Sequence, residues 1–204
     1  MIAIVDYGLG NVRAFANIYR ELNIPHAIVS TPDQLAQASH IIIPGVGAFD
    51  QAVLRLREAG MLDAIEPLAR DKKLPVLGVC VGMQILADRS EEGTERGLGW
   101  IPGQVVRFRQ PSDGSRLPVP HMGWNNVRPV GGTRLFEGLE QDASFYFLHS
   151  FLFECAERKS VVATAEYGGE FACAVSAGNI FGVQFHPEKS HGYGIRLLKN
   201  FAEL

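Results

Sequence analysis

The run Val76-Leu77-Gly78-Val79-Cys80-Val81-Gly82-Met83-Gln84 decides how this chain folds. Its first four residues read as a short apolar strand buried on both faces of a sheet. Glycines two residues either side of Cys80 then fit a sharp strand-to-helix turn, the cysteine counterpart of the G-x-S-x-G elbow. A Cβ at either glycine would crowd the turn or the helix after it. That helix is expected to run through Ile85 to Ala87, leaving Cys80 at a helix N-terminus, where unpaired N–H groups favour thiolate over thiol. Taken alone, the pattern fits a packed strand-end cysteine equally well.

Upstream, short apolar runs at Ile2 to Val5, Ala27 to Val29 and Ile41 to Ile43 alternate with helical spacing over Val12 to Leu22 and Phe49 to Arg57. Such alternation builds βαβ units around a largely parallel sheet with helices on both faces. The expected fold is α/β and flavodoxin-like, an open sheet of this kind. From Gly97 the pattern changes to short alternating segments: Gln104 to Phe108, Phe145 to Leu148, Val161 to Tyr167, Ala172 to Val175 and Ile180 to Phe185. These are expected to add antiparallel strands to the same core, and Tyr193 to Phe201 reads as a closing helix. Pro111 to Pro120 reads as a loop. At 204 residues, 47% hydrophobic and 20% charged, the chain suffices for one well-buried core, so a single domain over 1–204 is expected.

A net charge of −3, without basic clustering, argues against a nucleic-acid partner. No apolar run approaches the roughly 20 residues needed to cross a bilayer. Asp6 interrupts the apolar N-terminus where an export signal would continue. Three cysteines without close pairing argue for a reducing compartment. The expectation is therefore a soluble cytoplasmic protein without membrane contact. The histidines lack metal-ligand spacing, so no metal and no cofactor are expected. Gly8-Leu9-Gly10-Asn11 lacks the third glycine of a dinucleotide fingerprint and reads as a tight turn into a helix. Cys155 and Cys173, without an elbow, read as structural thiols.

Phe185-His186-Pro187-Glu188 ends an apolar strand with a histidine and a carboxylate two residues apart. Pro187 disfavours helical geometry at His186, and an extended segment would turn both side chains to one side. Glu188 can then hold one imidazole nitrogen while the other faces a thiol. Pro44-Gly45-Val46-Gly47 follows another strand toward the same edge, where its backbone, together with the Val81 amide, can supply oxyanion donors on the Gly47 side. A simple strand exit would look the same.

These runs together resemble the class I, triad-type glutamine amidotransferases. Pro44 to Phe49, Gly78 to Gln84, His121-Met122-Gly123-Trp124-Asn125 and His186-Pro187-Glu188-Lys189-Ser190 are similar to those of the amidotransferase subunits of imidazole glycerol phosphate synthases. The resemblance spans the whole chain. It implies a glutaminase in histidine biosynthesis with Cys80, His186 and Glu188 as triad, passing ammonia to a separate (βα)8-barrel cyclase in a heterodimer. It also implies substrate contacts at Gly45, Gln84, Glu92, Ser150 and Phe151, an oxyanion site at Gly47 and Val81, and positions near the partner at Trp124, Tyr146 and Lys189. Three other readings stay open: a reactive-cysteine hydrolase or redox sensor, a binding subunit without chemistry, and the glutaminase of a different class I synthase.

Overall fold

The structure, a computed structural model, describes residues 1–110 and 116–204. Residues 111–115 of the expected loop lie outside the described residues. In chain order the elements are β1 (Ile2–Val5), α1 (Val12–Glu21), β2 (His26–Val29), β3 (His40–Gly45), α2 (Phe49–Glu58), α3 (Met61–Arg70), β4 (Val76–Cys80), α4 (Val81–Gln84), β5 (Arg89–Ser90) and β6 (Gly103–Arg107). There follow β7 (His121–Asn126), β8 (Arg128–Pro129), β9 (Ser144–His149), β10 (Phe151–Cys155), β11 (Val161–Glu166), β12 (Glu170–Ala177), β13 (Ile180–Val183) and α5 (His191–Ala202).

The large sheet runs β2-β1-β3-β4-β13-β12-β10-β6-β5, with β11 and β8 attached beyond β12. Every residue of β1 and β4 is buried, so both faces of the sheet centre are covered. Helix α1 packs with α5, and the Tyr19 hydroxyl donates to the Leu198 carbonyl at 3.1 Å to tie them. Helix α2 packs with α3 and with α4. The expected α/β fold, parallel in its first half with antiparallel additions later, is the fold observed.

Three expectations need correction. The sequence pattern places β13 among the antiparallel additions, but it pairs parallel with β4, Val183 opposite Val79, and antiparallel only with β12. Its carboxyl end therefore lies beside that of β4. Second, β7 and β9 do not join the main sheet but pair with each other as a two-stranded ribbon. Third, the helix after Cys80 is one turn long, capped by Ile85, and does not reach Ala87. Helix α3 and strands β7 and β10 had no counterpart in the sequence reading. Helix α3 contains Pro67, and β7 carries polar residues on both sides of Trp124.

The Gly8 to Asn11 turn is as expected. Gly8 and Gly10 take φ of +85° and +93°, and the Asn11 side chain accepts from the Ala14 amide at 3.3 Å to start α1. Cys173 is fully buried and Cys155 half-buried, and burial raises both thiols, Cys155 to about 11. That environment suits inert packing.

The ribbon is anchored by two buried histidines. His149 Nδ1 lies 2.8 Å from the Phe151 carbonyl, so that nitrogen must carry the proton. Burial, reinforced by the charges of His121 and His186 and only partly offset by that hydrogen bond, lowers His149 to about 3. His149 is then neutral, and Nε2 accepts from His121 Nδ1 at 2.9 Å. His121, lowered by burial to about 4, in turn accepts from Asn125 Nδ2 at 3.2 Å. Tyr167 stacks on His121 at 4.0 Å, and Phe108, Phe147 and Phe171 complete the surroundings.

Unfolded, both imidazoles titrate near 6.5, so below that pH the unfolded chain binds more protons than the folded one. The stability this pair contributes is complete above about pH 6.5 and is lost as pH falls toward about 4 and then about 3. Thermal denaturation should show stability falling as pH drops through this range, and His121→Asn should flatten the slope. A melting temperature constant through that window would contradict the assignment.

Candidate active site

Strands β3, β4 and β13 bring three segments to one sheet edge, with Gly45 paired to Cys80 and Val183 to Val79. Cys80 takes φ 57° and ψ −112°, a conformation that a side-chain-bearing residue adopts only when its surroundings force it. The forcing groups are backbone. A Cβ on Gly82 would run into the Ile43 carbonyl, and one on Gly78 into the Gly82 carbonyl. A Cβ on Gly45 would sit 2.5 Å from the Gly82 amide nitrogen. The glycines expected around the elbow are thus required by close main-chain approach on both sides of Cys80. Its Sγ has the Gln184 amide nitrogen at 3.8 Å and the Leu148 carbonyl at 4.0 Å.

His186 follows β13 in extended backbone, but Pro187–Lys189 form a 3-10 turn and do not continue the strand as expected. The turn folds Glu188 back so that its Oε1 lies 2.9 Å from His186 Nδ1, with both side chains buried. The His186 main chain is pinned as well. Its amide donates to the Tyr146 carbonyl at 2.8 Å, and the Ser190 hydroxyl donates to the His186 carbonyl at 2.6 Å while accepting from the Tyr146 amide at 3.0 Å. Burial alone would lower the imidazole. Hydrogen bonding to Cys80 and to Glu188, together with their charges, outweighs it and raises His186 from 6.5 to about 10. An imidazole biased toward its charged form beside a thiol stabilises thiolate.

A cavity of about 330 Å³ opens over these groups, a size suited to a small metabolite. Of the residues expected at the site, Gly47, Cys80, Val81, Gln84, Glu92, Ser150, Phe151, His186 and Lys189 line it. Glu188 stands behind His186, and Gly45 lies under the elbow, where it makes room for main chain and does not face the cavity. Gly47 has φ +90°, which leaves the Pro44 to Gly47 turn free to present peptide N–H groups. Glu92 is held by the Phe49 amide, which donates to its Oε2 at 2.8 Å; among the described residues Oε1 has no such partner. The Glu92 loop is itself fixed on Asp50, which accepts from the Thr94 and Glu95 amides at 2.9 and 3.0 Å.

Tyr7 and Gln184, beside the elbow, are among the residues at the site to which the sequence pattern assigns no role. Tyr7 donates its hydroxyl to the Pro44 carbonyl at 2.6 Å and pins the turn beside Gly45; burial first, and the charge of Cys80 second, raise its phenol. Gln184 lies beside the sulfur. Gln184 is the first residue after β13 and Tyr7 the second after β1, and that position was the available signal.

The positions expected near a partner cluster on the ribbon and the turn after His186. Trp124, 50% exposed, stacks on His191 at 5.3 Å and meets Tyr146 edge-on at 6.3 Å. Lys189 Nζ lies 5.7 Å from the Tyr146 ring centre. With Met122 (66% exposed) and exposed Leu148 and Tyr193 they give an apolar face at the mouth of the cavity.

This fold and site define a class. Residues 3–204 match the family described as Glutamine amidotransferase class-I, and the chain belongs to that family. It is 57% identical over 204 residues to the imidazole glycerol phosphate synthase subunit HisH of Bdellovibrio bacteriovorus, and 53% identical to the protein of that name from Leptospira interrogans, with 100% of both chains covered in each case. Among solved structures, a glutamine amidotransferase superposes with TM-score 0.73 at 21% identity, covering 100% of both chains. PurLQS from Thermotoga maritima superposes with TM-score 0.70 at 20% identity over 99% of this chain and 97% of that one. At such identity these two speak for the fold alone.

Two substitutions test the geometry. Gly82→Ala places a Cβ against the Ile43 main chain and should destabilise the fold by about 3 kcal/mol or more in urea denaturation; a loss under about 0.5 kcal/mol would mean the elbow relaxes freely. Glu188→Gln should lower the His186 titration midpoint, read by imidazole NMR. Because the folded value lies above 6.5, the stability from this pair is complete below that pH and lost as pH rises through about 10. The variant should therefore lose part of the alkaline slope, the Cys80 share remaining, and an unchanged midpoint would refute Glu188 as a partner that holds the charge.

Proposed function

We propose that this chain is the glutaminase subunit of an imidazole glycerol phosphate synthase, hydrolysing glutamine and delivering ammonia to a (βα)8-barrel cyclase in histidine biosynthesis. The observation that carries the reading is the convergence of Cys80, the His186–Glu188 pair, and the Gly47 and Val81 backbone on one cavity sized for an amino acid. The full-length similarity to two proteins named as HisH supports the pathway.

His186 takes the Cys80 proton, and the sulfur bonds to the carboxamide carbon of glutamine. Peptide N–H groups at the Gly47 side and at Val81 receive the oxyanion. The imidazolium then protonates the nitrogen as the C–N bond breaks, leaving a γ-glutamyl thioester and ammonia. Water attacks the thioester, giving one proton to His186; the C–S bond breaks, glutamate leaves with the new hydroxyl on its carboxyl carbon, and the sulfur and imidazolium are left as the starting thiolate–imidazolium pair. Glu188 keeps the imidazole oriented and supports its charge throughout. Glu92, anchored on the Phe49 amide and lining the cavity, suits the substrate ammonium. Gln84 and the Ser150–Phe151 backbone complete the amino-acid end.

Ammonia released into water would be protonated and lost as a nucleophile, so the exit must be covered. The face formed by Trp124, Tyr146, Lys189 and their neighbours fits the cyclase as the cover. In this role residues 1–204 act as one cytoplasmic domain that uses no cofactor.

Glutamate release should be low for the purified chain alone and rise when a cyclase of this pathway and its nucleotide ligand are added. Cys80→Ala should cut the rate by about 10³-fold or more. Hydrolysis that survives Cys80→Ala would refute the nucleophile; hydrolysis already maximal without the cyclase would refute the coupling.

A further inference from the structure

The Gln184 side chain is fully buried, a location where an amide must find partners for both its ends. Which end faces Cys80 is settled by a chain of bonds that starts at a backbone carbonyl. The Phe151 carbonyl can only accept, so the Gln84 atom 3.3 Å from it is the amide nitrogen, Nε2. That nitrogen also lies 3.0 Å from the end of Gln184, which must therefore be the carbonyl oxygen. The remaining end of Gln184 is NH2, and it points at Cys80 Sγ from 3.8 Å. The same Phe151 carbonyl accepts from His149 Nδ1, so Gln84 and His149 converge on one acceptor.

We propose that Gln184 is a positioning residue that donates an amide N–H to the Cys80 thiolate and holds the sulfur on the His186 side of the cavity. The parallel register sets the pair side by side, since Val183 lies opposite Val79 and each chain advances one residue. The Gln184 amide donates to the Cys173 carbonyl at 2.8 Å, which locks its backbone. A thiolate accepts such a bond far better than a thiol does, so the contact is worth most in the attacking state. Gln184 thereby acts with His186, one supplying a neutral dipole fixed in direction and the other a mobile proton.

Other groups face the sulfur or its cavity. His186 carries the positive charge, with Glu188 behind it; Tyr7 lies under the elbow; Glu92, His149 and Lys189 line the walls. Gln184→Met leaves these groups in place and removes the amide at nearly constant length, taking away both the donor to sulfur and the acceptor for Gln84. Gln184→Glu keeps an acceptor for Gln84 and replaces the donor by a negative charge.

The proposal rests on Cys80 as nucleophile, but its test needs no glutamine turnover. The pH dependence of Cys80 alkylation by iodoacetamide, located by peptide mass mapping, should move its midpoint upward by about one pH unit in Gln184→Met and further in Gln184→Glu. At pH values below the midpoints this is an alkylation rate about tenfold slower or more. A purely structural glutamine would instead lower thermal stability and leave the midpoint where it was, which would overturn the proposal. In the unaltered protein, the Gln184 side-chain amide protons should shift in NMR with the same midpoint as alkylation, independent of whether either variant folds. An amide signal that does not respond while Cys80 titrates overturns the proposal equally. Cys80→Ala with glutaminase activity intact would sink the proposed function instead, and leave the N–H to sulfur contact standing as a structural fact.

Discussion

Parallel pairing of β4 with β3 on one side and β13 on the other fixes everything chemical in this molecule. In parallel strands the carboxyl ends lie together, so Gly45, Cys80 and the residues after Val183 are neighbours although about 140 positions separate the first from the last. The site is therefore a property of register. A slip of one residue in β13 would turn Gln184 away from the sulfur and carry His186 to the other face of the sheet. Burial of every residue in β4 and β13 opposes such a slip, since both faces are packed.

The elbow depends on that same closeness. Ile43, Gly45, Gly78 and Gly82 bring main chain against main chain at distances that no Cβ could share, and Cys80 takes its left-handed conformation because the chain has nowhere else to turn. With a helix of only one turn after it, the cysteine draws little from a helix macrodipole, which grows with aligned peptides. Local groups replace it: the imidazole raised by Cys80 and Glu188, and the Gln184 amide. The base in turn hangs on the ribbon, for the His186 main chain bonds to Tyr146, and Tyr146 to Ser190. The exposed face carrying Trp124 and Met122 is thus joined by short hydrogen bonds to the turn that holds His186 and Glu188.

Sequence alone determined the α/β class, the first four strands to within a few residues, the elbow and the His-Pro-Glu pair. Those features are local: apolar runs of strand length, glycines where a turn needs them, a proline that restrains its neighbour. Helix α3 escaped because Pro67 interrupts its pattern, and β7 because a ribbon with one exposed side carries His121 and Asn125 where a core strand would carry apolar residues. The direction of β13 was equally hidden. An apolar strand reads the same whether its neighbour runs with it or against it, since hydrogen-bond polarity leaves no mark on side-chain pattern. Only the tertiary structure could decide that β13 lies parallel to β4, that Glu188 folds back through a 3-10 turn, and that Gln184 and Tyr7 belong to the site. Each of these depends on contacts between segments far apart in the chain, whereas composition and periodicity report only what a segment asks of its immediate surroundings.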